Sequence, residues 1–141
     1  SYQRDQKQTK RALEQLQMFI EDFPQSDLIE SAEKSITELR YKLAKKEYEV
    51  ARLYLKLEEY DSAIIYFRSV LNNYYDTDFS DEARIGIIFT HILNDNRKGA
   101  KRYLKTERNR FLKSEKYDMA DNLIKDTETG LKIQHYYQLY K

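Results

Sequence analysis

Apolar residues recur along most of this chain at every third or fourth position, the rhythm of one face of an α-helix. Ala12, Leu13, Leu16, Phe19 and Ile20 set the first such face, and Pro24 predicts its end at Phe23, because a residue before proline is driven out of the helical region. Ser26 is placed to cap the next helix, with Asp27 and Glu30 complementing its dipole. From there Leu28, Ala32, Ile36, Leu39, Leu43, Val50, Tyr54 and Leu57 hold one stripe with neither Gly nor Pro between them, which predicts a single long helix. A polar break near Glu58 to Asp61 leads to a helix with Ala63, Tyr66, Phe67, Val70 and Leu71 on one side. After "NNYYDTDFS", Asp78 or Ser80 is expected to cap a helix running from Asp81 to about Leu93. "NDN" then precedes a basic helix from Arg97 that turns Ala100, Tyr103 and Leu104 inward. Met119, Ala120, Leu123 and Ile124 predict a last helix, with Gly130 to end it, and "LKIQHYYQLYK" fits helix and strand equally.

The pattern also repeats at long range. "FIEDFPQSDLIESA" (Phe19 to Ala32) and "VLNNYYDTDFSDEA" (Val70 to Ala83) share a layout of apolar pair, aromatic, polar turn and acidic run ending on Ala. Ala51, Tyr54, Tyr60, Ala63, Phe67 and Val70 stand at the six signature steps of a tetratricopeptide unit, whose length is about 34 residues. Ala12, Leu16, Phe19 and Pro24 fit the second half of a preceding unit, and Ile88, Ala100 and Leu104 fit a following one. The two similar stretches lie about 17 residues further apart than one unit allows, which is close to five helical turns. An insertion of nearly whole turns lengthens a helix without rotating its packing face, so the middle unit is expected to carry an elongated first helix. The expected fold is therefore all-α, helix-turn-helix repeats of tetratricopeptide type stacked as an α-solenoid. It reads as one domain: 1–24 the second half of a repeat, 25–77 the repeat with the elongated helix, 78–112 a repeat, 113–141 a C-terminal helix and tail.

Composition narrows the function classes. Three glycines and one proline agree with helices. A net charge of +1 gives no basic footprint for nucleic acid, and the absence of cysteine excludes disulfides, thiolate metal sites and a cysteine nucleophile. "DTDFSDE" spaces acids as a calcium loop does, but Asp81 stands where glycine is needed and Ile87 where the bidentate Glu belongs. His91 and His135 have no ligand-spaced neighbours, and there is no phosphate-binding glycine loop or nucleophile elbow. Neither catalysis nor a cofactor is expected. The charge is instead polarised along the chain: acids crowd Glu58 to Glu82, whereas cations crowd Arg97 to Lys116. Arg97, Lys101, Lys105 and Arg108 follow helical steps on one side and form the candidate docking face for a protein partner or an anionic headgroup layer. Tyr136, Tyr137 and Tyr140 add interface-type aromatics in the tail.

"LRYKLAKKEYEVARLYLKLEEYDSAIIYFRSVLNNYYDT", with "ALEQLQMFIEDFPQS" upstream, resembles the C-terminal repeats of the BamD family, subunits of the bacterial outer-membrane β-barrel assembly machinery. Leu43, Ala44, Lys45, Glu47, Tyr48, Val50, Ala51 and Tyr54 match that family's long-helix motif, and Tyr74, Asp76 and Thr77 its following turn. Tyr75 replaces the family's proline, and the tail from Tyr117 has no counterpart. The resemblance implies a non-catalytic scaffold that binds the periplasmic domains of the barrel-assembly subunit and other assembly lipoproteins. It also implies a parent chain lipid-anchored at the periplasmic face of the outer membrane, of which a sequence opening on Ser1 within a helical pattern is expected to be one part. The alternative is a soluble tetratricopeptide adaptor that grips a peptide in its concave groove. The inner positions of the clearest unit hold Tyr48 and Arg52, which disfavours the Lys and Asn clamp of chaperone adaptors.

Overall fold

A computed structural model of the chain describes residues 2–128; Gly130, His135 and the three tail tyrosines lie outside the described residues. The fold is all-α, a tetratricopeptide-like helical repeat, with no strand among the described residues. In chain order the helices are α1 (Tyr2–Asp22), α2 (Ile29–Lys56), α3 (Tyr60–Asn73), α4 (Phe79–Leu93), α5 (Arg97–Glu107) and α6 (Ser114–Thr127), with a 3-10 turn at Arg108–Arg110 between the last two.

Each helix end has a local cause. α1 stops at Asp22, immediately before Phe23 and Pro24. The Ser26 hydroxyl oxygen accepts the Leu28 N–H at 3.1 Å and opens α2 as the sequence predicts. α2 runs unbroken for 28 residues, in agreement with the uninterrupted apolar stripe. It closes with Glu58 in the left-handed region at φ 62°, where the Glu58 N–H reaches the Leu55 carbonyl and the Glu59 N–H that of Tyr54. This pair of reversed bonds is the usual helix stop, made here without glycine. α4 ends the same way, on Asp95 at φ 57°.

The described residues form two compact units that divide between Lys45 and Lys46. In the first, Leu16 and Phe19 of α1 share a shallow cleft with Leu28, Ala32 and Ser35 at the start of α2. The second holds a continuous core drawn from the rest of α2 and from α3 to α6. The tetratricopeptide signature residues make its floor, with Ala51, Ala63, Phe67 and Val70 buried and Tyr54 stacked on Tyr66 at 5.2 Å. α4 is the centre of this unit: from Ser80 to Thr90 every residue except Glu82 is buried, and the helix packs against α3, α5 and α6. From Ile85 to Phe89 the helix is apolar on all sides, and such a stretch has to sit inside. Gly86 allows its closest approach, since a Cβ there would come within 2.5 Å of the Phe67 ring.

Two expectations need correction. Neither Asp78 nor Ser80 caps α4: Asp78 makes no side-chain cap bond, and the Ser80 hydroxyl donates back to the Thr77 carbonyl at 2.9 Å. Met119 faces solvent, because the buried stripe of α6 is Ala120, Leu123, Ile124 and Thr127, and Met119 lies a residue off that spacing.

Candidate functional site

The basic helix is built to expose its charges. Asn96 caps α5 by accepting the Gly99 N–H at 3.0 Å, and Ala100 and Leu104 turn inward against the core. What remains is an outward strip in which Lys101, Lys105 and Arg108 succeed one another at helical steps. α6 runs beside it and contributes Tyr117, Asp121, Lys125 and Glu128. Between the two helices lies a groove of about 350 Å³, with Leu104 and Ile124 among its apolar lining.

Three of the four candidate docking cations therefore line one groove. Arg97 is engaged elsewhere, since its Nη1 donates to the Ile124 carbonyl oxygen at 3.0 Å and ties the start of α5 to α6. Within the groove the two acids have partners. Asp121 lies 2.8 Å from Lys125 and Glu128 lies 3.8 Å from Lys101; the bond to Asp121 raises the Lys125 pKa. The guanidinium of Arg108 sits 5.5 Å above the Tyr117 ring, and Lys105 has no ion pair with the described residues. The excess positive charge thus gathers at the Tyr117 end, over an apolar floor. Such a groove suits an amphipathic segment with an apolar side chain for the floor and an acid beside it.

The shape of the groove depends on a buried charge cluster that periodicity did not reveal. Asp81, 2% exposed, pairs with Arg84 Nη1 at 3.0 Å. Its carboxylate also accepts the backbone N–H groups of Leu112, at 3.0 and 3.1 Å, and of Lys113, at 2.9 Å. Arg84 reaches on to Glu107 at 3.6 Å, and Glu107 to Arg110 at 3.4 Å. Arg84 also lies over the Phe111 ring at 5.7 Å, and Phe111 meets Tyr117 edge-on at 5.6 Å. The α5–α6 connection is thereby fastened to α4, and with it the Tyr117 end of the groove. Beside this cluster Tyr103 is half-buried, its hydroxyl covered and without a hydrogen bond; burial, and then the Glu107 charge, push its pKa up. The only sequence signal for the cluster was the presence of Asp, Arg and Glu on otherwise apolar helix faces.

The other half-buried titratable group of note, His91, has its pKa lowered by burial and then by Arg68. Among the described residues no cluster of His, Asp and Glu is placed to hold a metal ion, and no helix is long and apolar enough to cross a membrane.

Residues 1–91, α1 to most of α4, match the family of outer membrane lipoproteins designated YfiO. The chain belongs to the YfiO outer membrane lipoprotein family. No curated protein matches it. YfiO membership associates the chain with the outer membrane and with outer-membrane assembly, in which the family is accessory and non-enzymatic. The YfiO match ends within α4, so the α5–α6 groove lies beyond the part of the chain that defines the family.

Proposed function

We propose that this chain is a non-catalytic scaffold of the outer-membrane β-barrel assembly machinery, akin to the C-terminal repeats of BamD, and that it docks partner subunits on α5 and α6. In this reading it works at the periplasmic face of the outer membrane as part of a lipid-anchored parent. The YfiO membership supports the setting. The observation that carries the docking site is the groove itself, where Lys101, Lys105 and Arg108 border an apolar floor of Leu104 and Ile124. The partner surface that fits is an acidic, amphipathic one on the periplasmic domains of the barrel subunit.

The test is co-purification of those periplasmic domains with the chain, compared with a Lys101→Glu, Lys105→Glu, Arg108→Glu variant. Arg97 is left intact, since its bond to Ile124 is structural. Binding by the unmodified chain, weakened at least tenfold in the variant, is expected. No association by the unmodified chain refutes the assembly role, and equal binding by the variant removes the groove from it.

A further inference from the structure

The first compact unit holds open a junction that the second has closed. The cleft between the end of α1 and the start of α2 has a volume of about 270 Å³ and is lined by Leu16, Phe19, Leu28, Ser31, Ala32 and Ser35. Leu16 and Phe19 are only half-buried, and Leu28 is 61% exposed. Moved 51 residues along the chain, Leu16, Phe19, Leu28, Ala32 and Ser35 fall on Phe67, Val70, Phe79, Ala83 and Gly86. These counterparts form the same junction one repeat later, yet there Phe67, Val70 and Ala83 are fully buried. The end of α2, the helix before α3, lies over that second junction. Its Tyr48 meets the rings of Phe67 at 5.8 Å and Phe79 at 5.5 Å, and its Ala51 and Leu55 belong to the same core. A repeat unit cannot bury its apolar face alone, so the open junction calls for the helix that stands in the place of α2.

We propose that the α1–α2 cleft is the seat of an amphipathic helix that precedes α1 in the same polypeptide and completes the first repeat. That helix presents an aromatic residue, a small one and Leu at i, i+3 and i+7, as Tyr48, Ala51 and Leu55 do for the second junction. Leu16 and Leu28 are smaller than the phenylalanines that stand in their places one repeat later, so a ring as large as that of Tyr48 is admitted between them. None of the six lining side chains is charged, which selects an apolar helix face and sets the cleft apart from the cation-bordered α5–α6 groove. A second copy of the chain is a poor occupant, because its own Tyr48, Ala51 and Leu55 are already buried in its core. The cleft lies in the first unit, and this assignment stands whether or not the α5–α6 groove docks a partner.

The test joins a second copy of residues 45–57 ahead of Ser1, so that the segment meets the cleft at high effective concentration. A linker of about 20 Gly and Ser residues reaches roughly 25 Å, enough to span the about 21 Å of α1 between Tyr2 and Leu16. Nuclear magnetic resonance then follows the methyl groups of Leu16, Leu28 and Ala32. All three should shift relative to the unfused chain, while those of Val70 stay in place and show that the added copy has not displaced α2 from its own core. A fused copy carrying Ala51→Glu should leave the cleft methyls where they were. Leu28→Glu in the cleft, a change at an exposed position, should abolish the response at Leu16 and Ala32. Four results overturn the proposal: cleft methyls that are the same with either fused copy, a response that survives Leu28→Glu, a concentration-dependent shift of the same methyls in the unfused chain, which gives the cleft to a second copy, or a parent sequence without the aromatic, small and Leu steps ahead of α1.

Discussion

Replacing Asp81 by alanine tests the view that one buried carboxylate fixes the end of the α5–α6 groove. Asp81 receives an ionic hydrogen bond from Arg84 and backbone N–H groups from Leu112 and Lys113. Hydrogen bonds to a charged group contribute about 1.5–3 kcal/mol each when one end is removed, and stranding a buried partner such as Arg84 costs about 3–5 kcal/mol. These figures overlap, because the carboxylate is shared, so the expected loss is about 3–5 kcal/mol. That is a large part of the roughly 5–15 kcal/mol typical of a folded domain. Urea unfolding followed by far-ultraviolet circular dichroism should show a lower midpoint with an unchanged slope, since the surface exposed on unfolding stays the same. Hydrogen exchange gives the site-specific check: the Leu112 and Lys113 amides should lose protection before those of α4. Asp81→Asn retains an acceptor oxygen and should lie between wild type and alanine. A loss below about 1 kcal/mol for Asp81→Ala, with protection at Leu112 and Lys113 unchanged, refutes the reasoning.

Other outcomes follow from single contacts. Gly86→Ala should destabilise by about 1–3 kcal/mol in the same urea assay, because its Cβ meets the Phe67 ring at 2.5 Å in a packed core; a neutral effect would mean that α3 and α4 part more easily than their packing implies. Glu58→Gly should raise stability by about 0.5–1 kcal/mol, as it relieves a left-handed backbone that only glycine adopts freely. His91 has a folded pKa below its unfolded one, so the unfolded chain binds the proton more readily. Its contribution is complete above the unfolded value near 6.5 and is lost as pH falls through the folded one. Urea midpoints measured at about pH 7.5 and about pH 5.5 should therefore differ more in wild type than in His91→Gln.

Much of the fold was legible because it is written locally. Pro24 marked the end of α1, Ser26 the start of α2, and the stripe from Leu28 to Leu57 its length, since each depends on neighbours within a turn or two. The six tetratricopeptide positions were legible for a related reason: small and aromatic residues at fixed steps encode how one helix pair nests. The stops after α2 and α4 were visible only as polar breaks, because Glu58 and Asp95 take the backbone conformation that a glycine would have announced. The parts that escaped are those decided across long sequence separations. Asp81 stood only as the expected first residue of a helix, but its carboxylate holds amides more than 30 residues away. Arg97 shared the spacing of the groove cations, and a carbonyl 27 residues further on claimed it. Helical spacing sorts residues by side and is blind to which of them a later helix will engage.

The position of α4 bears on how this molecule comes apart. In an ordinary repeat stack each pair touches only its neighbours, so the end can fray while the remainder stays intact. Here one apolar helix is embraced by α3, α5 and α6 together, and lifting any of the three exposes the surface on which the other two rest. The second unit should consequently melt in one all-or-none step, without the graded unzipping of longer arrays. A load applied by a partner at α5 and α6 would then be borne by the whole unit, as a pull on one stave is borne by the hoop.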